Sequence, residues 1–117
     1  MGGHVNPEGE PIVVLPIAGR DWRAIIDTGF NGDLQLPEAL RPFVNPRFLW
    51  EIESQLAADQ WVVEELFAVD FPFDGKTVRA RATFVHDGDL LLGTHLLRDY
   101  RLEIDFPART VRLERVG

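Results

Sequence analysis

No cysteine occurs in the sequence, so a disulfide framework, a thiolate metal site and a cysteine nucleophile are excluded together. Basic residues are in deficit: 12 Lys and Arg stand against 19 Asp and Glu, a net charge of −7, and they form no cluster longer than a pair. This argues against a partner gripped by its phosphate backbone, since such affinity comes from neutralising phosphates with Lys and Arg. Nucleic acid is therefore not an expected partner. Long apolar runs are missing as well. The stretch 12–18 is interrupted by Pro16, is too short for a membrane span and has the wrong flanks for a secretory leader. The expectation is a cytoplasmic protein with no membrane partner. Neither a phosphate-binding glycine loop nor a serine nucleophile elbow is present.

What remains suits one small core. A chain of 117 residues, 45% hydrophobic and 26% charged, has the balance of a single folded domain over 1–117, with the polar, Gly- and Pro-bearing residues 1–10 flexible. A domain of this size has too little chain to enclose a deep cleft between two lobes of its own. A deep active site must borrow walls from a second chain.

Most of the chain reads as short strands separated by turn residues. Residues 11–17 are rich in Val and Ile, and Ala18-Gly19-Arg20-Asp21 turns them into a second run, 22–27, as a hairpin. A short strand 33–36 stops at Pro37, where a brief helical turn begins that Pro42 and Pro46 keep short. Phe48, Trp50 and Ile52 alternate with Leu49, Glu51 and Glu53, which has the period of a strand, continuing to about Ala57. Ala58-Asp59-Gln60 forms its tip and 61–71 returns. A second hairpin turns at Asp74-Gly75 with 76–85 as its outgoing arm. Further on come Leu90-Leu91-Leu92-Gly93, a short helix over 94–100 carrying Leu96 and Leu97, a strand with Leu102, Ile104 and Phe106 inward, and a last strand, 110–115. The sum is a small, mainly β, barrel-like fold with one or two short helices.

Asp27-Thr28-Gly29 directly follows the apolar strand end Ala24-Ile25-Ile26. A carboxylate where a buried strand turns sharply is costly unless hydrogen bonds hold it, and a Thr hydroxyl and a Gly N–H are donors within reach. The tripeptide alone is also ordinary turn chemistry. His4, His86 and His95 are scattered; only His95 and Asp99 have helical ligand spacing, which reads as a surface pair, so neither a metal nor another cofactor is expected.

In order and spacing, Asp27-Thr28-Gly29 with its apolar approach, a hairpin over 56–63, and then Leu91-Leu92-Gly93 followed by Leu96-Leu97 and a strand, the sequence resembles the retropepsin-like aspartic proteases. The likeness runs from Ile12 to Leu113 and is greatest to the uncharacterised bacterial branch. It implies a closed β-barrel with one lobe per chain, acting as a homodimeric endopeptidase on peptide or protein substrates. Asp27, Thr28 and Gly29 would be catalytic. Two copies of Asp27 would share one proton and activate a water, while Thr28 bonds across the interface and Gly29 approaches the substrate backbone. Ile26, Leu91, Leu92 and Gly93 would support that loop. The hairpin would be a flap, so that Phe30, Asn31, Ala58, Asp59, Gln60 and Trp61 would bind substrate. Two features depart from the viral pattern. The flap tip has no glycine, and an acid–arginine pair that braces the viral dimer is replaced by Asn31 and Thr94. The alternatives are an inactive peptide-binding module of the same fold, or a monomeric barrel whose Asp27 only caps a turn.

Overall fold

A computed structural model describes residues 1–55 and 57–117. Ten strands follow in chain order: β1 (Gly2–Val5), β2 (Pro11–Ile17), β3 (Arg20–Ile26), β4 (Leu34–Pro37), β5 (Arg47–Ala57), β6 (Gln60–Phe73), β7 (Lys76–Val85), β8 (Leu90–Leu92), β9 (Tyr100–Asp105) and β10 (Thr110–Arg115). A 3₁₀ helix, Glu38–Phe43, separates β4 from β5. The hairpin turns are set by local chemistry. Ala18 and Gly19 (φ 53° and 77°) and Asp74 and Gly75 (φ 53° and 76°) are consecutive left-handed residues, whose twist matches that of the strands they join. Pro42 lies inside the 3₁₀ helix and keeps it short, while Leu40, fully buried, anchors it.

The strands form one sheet in the order β5-β6-β7-β4-β8-β3-β2-β1-β10-β9. Its ends, β5 and β9, are not neighbours, so the mainly β class holds but the sheet is not strictly closed as a barrel. Alternation places Val13, Leu15 and Ile17 of β2, Leu34 and Leu36 of β4, and Val69, Phe71 and Phe73 of β6 in one core. A fully buried Leu or Phe in such a core contributes about 1.5–3 kcal/mol.

Four expectations are corrected. Residues 94–99 run as successive turns instead of a helix. Leu97 N–H reaches back four residues to the Gly93 carbonyl (3.3 Å), but Arg98 and Tyr100 reach back only three, to His95 and Leu97 (3.4 and 2.9 Å). Leu96 and Leu97 are buried nonetheless. Part of the terminus expected to be flexible forms β1, which pairs with both β2 and β10. Phe106 lies beyond the end of β9 and is 58% exposed rather than inward. Finally, His95 pairs with Asp33 across the fold, as described below, and not with Asp99. No helix among the described residues is long and apolar enough to cross a membrane.

Candidate active site

Strand β8 lies between β3, to which it is parallel, and β4, to which it is antiparallel, with Leu92 opposite both Ile26 and Leu34. All three of these residues are buried, so the end of β3 is fixed from the core side. The loop 27–33 leaves from there and is tied to β8 and the segment after it by four backbone bonds. Asp27 N–H donates to the Leu92 carbonyl (3.0 Å), Gly93 N–H to Asp33 (2.9 Å), Thr94 N–H to Phe30 (2.8 Å) and His95 N–H to Gly32 (3.2 Å). This closeness requires Gly93: a Cβ there would overlap the Gly32 carbonyl oxygen and stand 2.9 Å from the Phe30 ring.

Asp27 is half-buried at the start of this loop, and its Oδ1 accepts the Gly29 N–H at 3.0 Å. Thr28 and Gly29 face solvent. Asn31 and Thr94 are in contact, but weakly, with Thr94 Oγ1 3.4 Å from both the Asn31 amide oxygen and the Phe30 carbonyl. The stronger brace lies elsewhere. Asp33, buried, receives His95 Nδ1 on one carboxylate oxygen at 2.6 Å and the Arg81 backbone N–H on the other at 2.9 Å. Loop, post-β8 segment and β7 thus meet on one carboxylate. Sequence reasoning missed this pair, since its members are 62 positions apart.

Two depressions adjoin this loop, the first of them lined by Asp27. One, of about 400 Å³, is lined by Asp27, Thr28, Ile25, Glu10, Asp89 and Phe106, among others. The other, of about 230 Å³, lies beneath the β5–β6 hairpin, between Phe30, Leu34 and Leu91 on the loop side and Ile52, Glu64 and Leu66 on the hairpin side. Leu91 lines both, and Gln35 Nε2 in the second donates to the Asp89 carbonyl beside the first (3.0 Å).

The hairpin turns at Ala58 and Asp59, with Ala57 opposite Gln60. Leu56, where the expected flap begins, lies outside the described residues. Asp59 adopts the left-handed conformation (φ 66°), a role open to Asp as well as to glycine because its short polar side chain tolerates it. Ala58, Asp59 and Gln60 are exposed at the tip, and Asn31 is exposed outside the hairpin cleft. Trp61, 62% exposed, pairs with Gln55 on the outer face, whereas Ile52, Ser54, Glu64 and Leu66 line the inner one. Of the residues expected to meet substrate, the structure therefore brings Phe30 to this cleft and turns Trp61 away. At the hairpin's base, Arg47 on β5 donates to both oxygens of Asp70 on β6 (3.0 and 3.2 Å). That bond, with one from Asn45, holds the Asp70 carboxyl below its ordinary value.

An aspartate-bearing loop between two clefts, under a long hairpin on a single-lobed β sheet, defines the retropepsin-like aspartic protease fold. The shape comparison agrees. A retropepsin-like aspartic protease from Rickettsia conorii superposes with a TM-score of 0.67 at 15% identity, covering 98% of this chain and 89% of that one. The Simian Foamy Virus (mac) protease gives 0.58 at 17% identity over 74% of this chain and 91% of its own. The EIAV protease gives 0.57 at 19% identity over 80% and 90%. No family model and no curated protein matches the sequence itself.

Proposed function

We propose that this protein is an aspartic endopeptidase assembled from two copies of the chain, each supplying Asp27. The observation that carries the reading is the setting of Asp27: half-buried, fixed by the Gly29 N–H, on a rigid loop between two clefts in a retropepsin-like fold. One chain has one such aspartate, and this chemistry needs two. Two carboxylates brought together about a two-fold axis cannot both carry charge easily, so the pair shares one proton. The charged member takes a proton from a water as the water oxygen bonds to a peptide carbonyl carbon. The neutral member donates to the oxygen on which charge develops. Transfer of a proton to the leaving nitrogen then breaks the C–N bond, with no covalent intermediate. Thr28, exposed and without a side-chain hydrogen bond among the described residues, is free to bond to its counterpart across the axis. Leu91, Leu92 and Gly93 hold the loop from behind, and the hairpin closes over the peptide.

The test is peptide cleavage by wild type and Asp27→Asn, with sedimentation run alongside. Wild type should be dimeric and cleave best at mildly acidic pH, and Asp27→Asn should stay dimeric and lose cleavage. Equal cleavage by the two proteins, or a strict monomer at high concentration, overturns the shared-aspartate mechanism. Binding of peptide without turnover by wild type points instead to the non-catalytic module.

A further inference from the structure

The cleft beneath the hairpin is mostly apolar in its walls, yet it holds Glu64, half-buried on the inner face of β6 and without an ion-pair partner among the described residues. Two further charged residues line it, Asp33 and the exposed Arg81. Asp33 is held by His95 and by the Arg81 N–H, and the Arg81 guanidinium lies over the Trp50 ring at 5.0 Å. Of the other carboxylates of the hairpin, Glu51, Glu53 and Glu65 stand on the opposite, outer face by strand alternation, Asp59 sits at the tip and Asp70 is paired with Arg47 at the base. A carboxylate drawn partly out of water among Ile52, Leu66, Leu91 and Phe30 is unfavourable by itself, and a cation brought to it offsets that cost. Beyond Leu91, the neighbouring depression adds Glu10 and Asp89 and no Lys or Arg.

We propose that this cleft is a subsite for a lysine or arginine side chain of a bound peptide. The aliphatic stem lies along Ile52, Leu66 and Leu91, and the cationic end meets Glu64. Long basic side chains suit such a site because their stems are apolar and their heads are not. The proposal rests on the protease reading for where the peptide runs, but recognition of the cation does not require turnover.

The experiment takes a peptide that the wild-type protein cleaves and replaces each position in turn with Lys, norleucine or Glu, norleucine keeping the apolar stem without the charge. At one position, Lys should exceed norleucine by about tenfold in kcat/KM, carried by KM, the ratio expected of one charge-assisted hydrogen bond. Glu64→Gln should bring that ratio close to one, Glu64→Lys should shift preference to Glu, and Glu53→Gln on the outer face should leave the ratio intact. No position with a Lys preference, or a preference that survives Glu64→Gln, overturns the subsite while leaving the protease reading standing. If wild type cleaves no peptide, calorimetry with Asp27→Asn and peptides that differ only in Lys or norleucine decides the matter. Selective binding that depends on Glu64 supports the subsite after the protease reading has failed, and equal or absent binding overturns both.

Discussion

Removing the His95 imidazole should loosen the site loop by a measurable and bounded amount. Asp33 is 7% exposed and holds one bond on each carboxylate oxygen, from His95 Nδ1 (2.6 Å) and from the Arg81 backbone N–H (2.9 Å). A hydrogen bond to a charged group contributes about 1.5–3 kcal/mol. The His95 side chain is 59% exposed, so water replaces part of what is lost, and His95→Ala should cost about 1–1.5 kcal/mol. Asp33→Ala strips the partner from both donors and should cost about 2–3 kcal/mol. Asp33→Asn should cost least, under about 1 kcal/mol, because its amide oxygen accepts the Arg81 N–H while its NH₂ donates to the other tautomer of His95. Urea unfolding followed by tryptophan fluorescence, at one fixed protein concentration so that self-association does not move the midpoint, gives the three values. A double-mutant cycle between His95→Ala and Asp33→Ala should return a coupling of about 1 kcal/mol. A coupling near zero, with His95→Ala as stable as wild type, would refute the reasoning and leave the loop held by its backbone bonds alone.

Other perturbations test other parts of the frame. Gly93→Ala forces a Cβ onto the Gly32 carbonyl and the Phe30 ring, so it should cost more than about 3 kcal/mol or abolish folding, as thermal unfolding would show. Tyr100 is the single tyrosine, and burial, reinforced by its hydrogen bond to Asp74 (2.8 Å), pushes its phenol up to about 12. The stability it contributes is therefore complete below the unfolded value of about 10 and is lost as pH rises through the folded one. Ultraviolet titration reads this group alone; the midpoint should fall in Asp74→Asn, but not to the unfolded value, since burial remains. At the hairpin tip, Asp59→Gly should be neutral within about 0.5 kcal/mol, whereas Asp59→Val at φ 66° should cost about 1–2 kcal/mol in denaturant unfolding.

The strands were legible where local pattern decides them. The alternation from Phe48 to Ile52 and the turn residues Asp74-Gly75 place β5 and the β6–β7 hairpin within a residue or two. Asp27-Thr28-Gly29 and Leu91-Leu92-Gly93 were legible as motifs, and the structure brings them together through a parallel pair that no local pattern announces. What escaped depends on distant contacts. Gly2 and Gly3 carry no strand propensity, yet β1 forms because Gly3 lets the backbone press against Ile12, where a Cβ would collide with the carbonyl oxygen. The pair Leu96 and Leu97 looks the same in a helix as in a string of buried turns. Alternation separates Trp61 from Glu64, but only the curvature of the sheet decides which face turns to the cleft, and it turned Glu64. Closure of the sheet was unreadable for the same reason, because β5 and β9 lie far apart in the chain.

Beside the Asp33–His95 bond, four bonds that fasten the aspartate loop to β8 and the segment after it run between main-chain atoms, and among these Gly93 is the side-chain condition. Such a fastening is indifferent to most substitution. Side chains along it can differ while the path of the chain is kept, and the fold superposes on that of the Rickettsia conorii protein at 15% identity. Selection on this frame bears on where the chain may come close to itself far more than on which letters it is spelled with.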